Sequence, residues 1–231
     1  AMNTYGAQRA LYYLFILEYG TRNSQAAVNA ALDANGFRQG GLGAGVTNLD
    51  TSSWIAWNSR HPFIPLGYSN SLGTKSGEVA FSMPAGYGSL TTYVNRYRGI
   101  ELPFGHIWKN TDGINLKASA VDGNLPYVTD DLSLFNDDDY DGFELLGTSP
   151  SSNGYIQKML SGSILPLEVG TNRWGDYYYQ SLPGSGESLR TVLFGGLASN
   201  GTYAGFGYSN SNTSPSNTYA DVGSRLCFFP I

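Results

Sequence analysis

Residues 97–115 read Tyr-Arg-Gly-Ile-Glu-Leu-Pro-Phe-Gly-His-Ile-Trp-Lys-Asn-Thr-Asp-Gly-Ile-Asn. Apolar residues come here in ones and twos, and Gly99, Pro103, Gly105, Asn110, Asp112 and Gly113 break them up. Gly supplies backbone angles that other residues avoid, Pro fixes φ and removes an N–H donor, and Asn and Asp bond to their own backbone. Such punctuation divides a chain into short strands and long loops. The same texture runs from Asn35 onward, so β-structure with irregular connections is expected over most of the chain.

Upstream the texture differs. Ala7 to Tyr19 lacks Pro, carries Leu11, Leu14, Phe15 and Glu18, and stops at Gly20, which predicts a helix. Asn23–Ser24 offers an N-cap for a second helix over Gln25 to Leu32. Two helices followed by strands give an α+β class. Residues 123–170 contain Pro126, Pro150 and Pro166 and look too poor in apolar residues for a core of their own. They are expected to form an irregular insertion on one domain spanning 1–231.

Composition excludes several functions. Hydrophobic residues at 41% suffice for a core, whereas charged residues at 13% are scarce. A net charge of −5 without a basic stripe argues against nucleic acid, whose phosphates demand clustered Lys and Arg, and against a basic membrane-surface anchor. The longest apolar run, Leu11 to Leu17, is far short of the roughly 20 residues of a spanning helix, so no direct membrane insertion is expected. The single cysteine, Cys227, allows neither an internal disulfide nor a Cys-based zinc site. It sits in Leu226–Cys227–Phe228–Phe229, a strand-like apolar setting that favours inert packing.

Candidate chemistry is sparse. Gly40–Gly41–Leu42–Gly43–Ala44–Gly45 lacks the spacing and the βαβ setting of a nucleotide loop. Asp137, Asp139, Asp141 and Gly142 match the first half of a calcium loop, but the twelfth position is Thr148 where a Glu is needed. These three aspartates are the weak metal candidates, and a solvated acidic loop is the preferred reading. His61 and His106 have no evident catalytic partners, and no serine sits in a nucleophile elbow. Glu101 and Asp112 read more simply as ion-pair partners of Arg96 or Arg98 than as an acid–base pair. No catalytic residue and no cofactor are expected. Trp174 to Asp221 is rich in Tyr, Asn, Ser and Gly. Tyr gives rigid contact area with a polar tip, and Asn and Ser give adaptable hydrogen bonds, as in antibody loops. On composition alone this is equally a binding surface or a set of turns between strands.

The segment Gly105–His106–Ile107–Trp108–Lys109–Asn110 resembles the Gly-Asn-Val-Trp-Glu-Trp core of formylglycine-generating-enzyme-like domains, a branch of the C-type lectin fold. Gly195–Gly196, Ala204–Gly205 and Val222–Gly223–Ser224–Arg225–Leu226 resemble the closing motifs of that branch. Within it, Glu18–Tyr19–Gly20–Thr21–Arg22–Asn23, Tyr97–Arg98–Gly99–Ile100–Glu101 and Asp112–Gly113–Ile114–Asn115 look like the variable proteins of diversity-generating retroelements from gut bacteria and phages. The likeness covers nearly the whole chain. It departs from the enzymes in its lone cysteine, and from calcium-dependent lectins in Trp174–Gly175–Asp176, which lacks their Asn.

This resemblance implies a C-type-lectin-like fold with Ile107 and Trp108 buried, and a non-enzymatic receptor-binding protein on a phage tail or bacterial surface. Its partner would be a protein or glycan of a host cell or other surface. A diversified cassette of about 174–221 would display Tyr177, Tyr179, Leu197, Ser199, Asn200, Tyr203, Tyr208, Asn210, Asn212, Asn217 and Tyr219 on one exposed face. Val192, Phe194, Gly195, Gly196, Gly205, Val222 and Leu226 would hold the scaffold. The alternatives are an oxidoreductase of the formylglycine-generating type and a lectin of fixed specificity.

Overall fold

The Tyr97–Glu101 motif folds as a hairpin corner. Arg98 and Gly99 have φ of +47° and +85°, the pair of positive values that a two-residue turn between twisted strands requires. Tyr97 is buried, and its hydroxyl donates to Glu18 Oε2 at 2.8 Å. Arg98 Nε reaches the same oxygen at 2.9 Å and ties the turn to the end of the first helix. Glu101 does pair with Arg96, at 3.9 Å, but its main work is on backbone: it accepts from Gly67 N at 2.8 Å and Ser69 N at 2.6 Å.

The computed structural model describes residues 3–28, 67–82, 91–217, 219 and 222–224. Gly40 to Gly45, His61, Leu226, Cys227 and the second half of the expected second helix lie outside the described residues. Among the described residues there are two α-helices, α1 (Tyr5–Tyr19) and α2 (Ser24–Val28). The first strands are β1 (Gly77–Ser82), β2 (Thr91–Tyr97), β3 (Ile100–Glu101), β4 (Trp108–Ser119), β5 (Gly123–Val128) and β6 (Glu144–Leu145). They are followed by β7 (Gly154–Met159), β8 (Pro166–Gly170), β9 (Tyr177–Tyr179), β10 (Glu187–Gly195), β11 (Gly205–Thr213) and β12 (Val222–Gly223). Strands β1–β3 form a small antiparallel sheet. The others form a curled main sheet in the order β6-β5-β4-β10-β11-β9-β7-β8, with β12 added parallel to β4. The fold is thus mostly β with few helices, compatible with an α+β class.

Helix α1 begins at Thr4, whose hydroxyl caps Ala7 N at 3.1 Å, and ends at Gly20, whose N–H closes on Ile16 O at 2.9 Å. Its buried stripe is Tyr5, Gln8, Tyr12 and Phe15, spaced three and four apart. Leu14 lies off this stripe and is 47% exposed. The stripe packs on the sheet through Phe15 against Phe206 and Tyr97, with ring centroids 5.1 and 5.8 Å apart. Gln8 Nε2 donates to Phe206 O at 2.8 Å, which satisfies a carbonyl that burial would otherwise leave costly.

Strand β4 has two faces that change places. Its pairing with β10 jumps from Asn115↔Thr191 to Asn110↔Leu193 across Gly113. Gly113 has φ +78°, and a Cβ there would lie 2.6 Å from Thr129 O, so the bulge needs glycine. Beyond it, Ile114, Leu116 and Ala118 enter the main core with Val192 and Phe194. Before it, Trp108 belongs to a separate small cluster with Leu193 and Tyr208. Trp108 is buried as expected, whereas Ile107 is only half-buried, on the side where a Cβ at Gly223 would meet its Cδ1.

The expected insertion at 123–170 needs correction. Strand β5 pairs with β4 along its whole length, and β7 and β8 complete the other edge of the main sheet. Val128, Leu160, Ile164 and Leu165 enter the main core. The stretch lacks apolar residues for a core of its own because it shares the core of its neighbours. Its longest segment outside the strands is 129–143, which contains the acidic loop.

Candidate functional site

Strand β9 inserts between β11 and β7, parallel to the first and antiparallel to the second. Residues paired across strands share a face, so Asn110, Leu193, Asn210 and Tyr179 form one outer row. Tyr155 and Tyr177, also paired, lie on the same side. Tyr178 points the other way and is fully buried, its hydroxyl 3.1 Å from Ser211 Oγ. The three-tyrosine run is therefore split by the period of the strand: two tyrosines outward and one inward.

The outer face carries a connected aromatic cluster. Tyr177 stacks obliquely on Tyr203 at 4.1 Å and meets Tyr155 edge-on at 5.1 Å. Tyr208 lies beneath them, 5.8 Å from Tyr177 and 6.5 Å from Tyr203, and rests on Trp108 at 4.7 Å. Arg173 covers Tyr155 with its guanidinium 5.5 Å from the ring centroid and bonds its hydroxyl through Nε at 3.2 Å. Burial raises the phenol of Tyr177 above its ordinary value, and the neighbouring Tyr203, Tyr155 and Tyr179 raise it further. Burial raises Tyr208 still more. Both are neutral at physiological pH; Tyr177 offers a flat apolar face and a hydroxyl donor, and Tyr208 lies buried beneath it.

The residues expected on one exposed face divide into groups. Tyr177, Tyr179, Tyr203 and Asn210 are brought together, with Tyr179 and Tyr203 at 37% and 40% exposure. Asn212 follows Asn210 at a two-residue step, and its N–H bonds Asn210 Oδ1 at 2.8 Å. Leu197 is half-buried and packs on the Trp108 cluster. Asn200 turns its Oδ1 back onto Leu197 N at 2.6 Å, so it fastens the 198–203 turn. Tyr208 corrects the expectation outright: it is 4% exposed and serves as floor, because the pairing of β10 and β11 breaks between Phe194 and Gly195 and leaves it above Trp108. Asn217 and Tyr219 are exposed in the turn after β11. The side chain of Ser199 lies outside the described residues. Of the scaffold set, Val192, Phe194, Gly195, Gly196 and Gly205 are buried, and Val222 is half-buried.

Two contributors escaped the sequence reading. Tyr155 falls inside the stretch taken for an insertion, although Tyr155–Ile156 is an aromatic and β-branched pair of the kind strands favour. Asp176 was noted only for the Asn that does not precede it. It is buried, with Oδ1 accepting from Ser24 N at 2.8 Å and Oδ2 from Ser24 Oγ at 2.6 Å and Gly207 N at 2.7 Å. One carboxylate thus joins the start of α2 to β11 behind the aromatic face. Burial pushes it up to about 6 against the opposing pull of the Ser24, Gly207 and Tyr12 donors.

The acidic loop is organised by its own backbone. Asn136 Oδ1 accepts from Asp138 N and Asp139 N, both at 2.9 Å, and Asp139 Oδ1 accepts from Asp141 N at 3.0 Å. Asn115 of β4 anchors it by donating to Asn136 O at 3.0 Å and to Asp139 O. Asp137, Asp139 and Asp141 are exposed, and no group of three or more His, Cys, Asp or Glu among the described residues is placed to hold a metal ion.

The sequence matches no known family model and no curated protein. The site presents neutral phenols, amides and a cation–aromatic rim on a rigid sheet, groups suited to stacking and hydrogen bonding.

Proposed function

We propose that this chain is a non-enzymatic binding protein with a C-type-lectin-like fold. In this reading it is a diversity-generating retroelement variable protein of a phage tail or bacterial surface, and the outer face of β9 and β11 meets a protein or glycan of another surface. The observation that carries the reading is the separation of two apolar layers. Tyr177 and Tyr203 rest on the Trp108–Leu193–Tyr208 cluster, with Tyr179 in the same outer row, while the main core lies on the opposite side of the sheet. A surface built to vary needs this isolation, since arbitrary core substitutions cost several kcal/mol against a total of only about 5–15. The aromatic composition suits it as well, because Tyr provides contact area with little side-chain entropy to lose.

The decisive test lies in the neighbouring DNA. An adjacent near-repeat of the segment encoding 174–221, differing only where the repeat has adenines, is expected. A flanking locus with neither such a repeat nor a reverse transcriptase gene would overturn the diversification reading.

A further inference from the structure

At the end of α1, 21–23 runs beside 173–175, joined by a bridge between Arg22 and Gly175. Between them lies a surface groove of about 480 Å³, whose lining includes Ile16, Thr21, Arg22, Asn23, Arg173 and Trp174. Two guanidinium groups line it, and no acidic side chain does among the described residues, in a chain whose net charge is −5. Trp174 is 65% exposed, whereas Trp108 is 6% exposed. A bare indole of this size next to cations has no part in the core.

The groove is held firmly. Tyr12 donates its hydroxyl to Arg22 O, and Arg22 Nη1 donates to Gln157 O at 2.9 Å. Asn23 Nδ2 donates to Arg173 O at 3.2 Å, while its Oδ1 caps α2 at Gln25 N at 3.1 Å. Arg173 is fixed over Tyr155 by its Nε bond and its stacking. Guanidinium forks match carboxylates with two parallel bonds, and the flat face of an indole matches the C–H face of a six-membered sugar ring. The volume falls at the small-molecule end of pocket sizes, enough for one or two rings.

We propose that this groove binds a terminal sugar acid, with Arg22 and Arg173 taking the carboxylate and Trp174 stacking on the ring. The groove shares Arg173 with the rim of the tyrosine face but does not rest on the function proposed for that face. The probes are glucuronic acid and N-acetylneuraminic acid, titrated against the chain by protein-observed NMR. Glucuronic acid methyl ester, inorganic phosphate and a Glu-rich peptide serve as comparators.

Saturable binding of at least one sugar acid is expected at millimolar or better affinity, the range a small polar ligand reaches through one ion pair and one stacking contact. Arg173→Gln and Trp174→Ala should each weaken it roughly tenfold or more, a change worth about 1.4 kcal/mol. Both residues are exposed, so both variants should melt with the parent. Tyr179→Ala and Tyr203→Ala should leave sugar-acid binding unchanged, which separates this site from the tyrosine face. The proposal is overturned by absence of saturation with either acid, by equal binding of the methyl ester, or by indifference to the Trp174 change. Phosphate or the peptide binding as well as the sugar acids would also overturn it, since guanidinium attraction alone would then suffice.

Discussion

Trp108→Ala probes the hinge between fold and site. The indole is 6% exposed and sits 4.7 Å from the Tyr208 ring, with Leu193 completing the buried cluster and Tyr177, Leu197 and Val222 packed around it. Truncating a buried Trp or Phe to Ala removes transfer energy and leaves a cavity, together about 3–5 kcal/mol. The cluster is small and near the surface, so Tyr208 and Leu197 can close part of the space, and the lower end, about 3 kcal/mol, is expected. With a urea m-value of about 2 kcal/mol/M, the midpoint should fall by roughly 1.5 M. Trp174→Ala supplies the control: at 65% exposure it should stay within about 0.5 kcal/mol. Trp108→Phe should recover part of the loss, since it keeps an aromatic plate under Tyr208. Equal urea midpoints for Trp108→Ala and the parent would refute the buried assignment. Equal losses at Trp108 and Trp174 would refute the contrast in burial on which both proposed sites depend.

Replacing Tyr179 and Tyr203 together with Ser should leave the melting temperature within a few degrees of the parent, because both are exposed, while Tyr208→Ser at 4% exposure should lower it clearly; similar melting of the two variants would undo the division of the face into display and floor. Gly207→Ala should cost about 1–3 kcal/mol in chemical denaturation, since the new Cβ would lie 2.6 Å from the Tyr12 ring, which is buried and held by its hydroxyl; an unchanged midpoint would contradict that close approach. Asp176 makes stability depend on pH with a definite sign. Its folded value is raised to about 6 from an ordinary 3.8, so its contribution is present below about pH 4 and is lost as pH rises through about 6, on the order of 3 kcal/mol. Glu18, lowered by its bonds to Arg98 and Tyr97, acts in the opposite sense in more acid solution, so the quantity to measure is the parent minus Asp176→Asn. That difference should move against the parent between pH 4 and 6.5, and parallel profiles would show that Asp176 does not change its proton affinity on folding.

How far the sequence could be read depended on the range of the forces involved. Helix α1 and its C-terminal end were legible because Gly20 acts within one turn of its target, whereas its start at Tyr5, capped by Thr4, lies two residues before the Ala7 read from the sequence. The strand-and-loop texture was legible for the same reason, since Gly113 and the Arg98–Gly99 turn are local demands of the backbone. The insertion was misread because burial is not local. Ile164 and Leu165 are few in their own segment, yet they meet Tyr5, Phe194 and Phe206 from three other elements in one core.

The candidate face was legible in composition and only partly in residues, and strand periodicity explains both outcomes. Alternation alone sends Tyr177 and Tyr179 outward and Tyr178 inward, which the three-tyrosine run permits but does not phase. A register break in the β10–β11 pairing then sends Phe206 into the main core and Tyr208 onto Trp108, although both stand at even positions of the same strand. No period-two pattern places those two rings in different layers; only the bulge does. The extra residues lie on β11 itself: 206–208 stand between Gly205 and Ser209, whose partners Gly195 and Phe194 are adjacent on β10. The register break at 206–208 therefore makes Tyr208 the floor, and the alternation that resumes beyond it leaves Asn210 on the display row beside Tyr179.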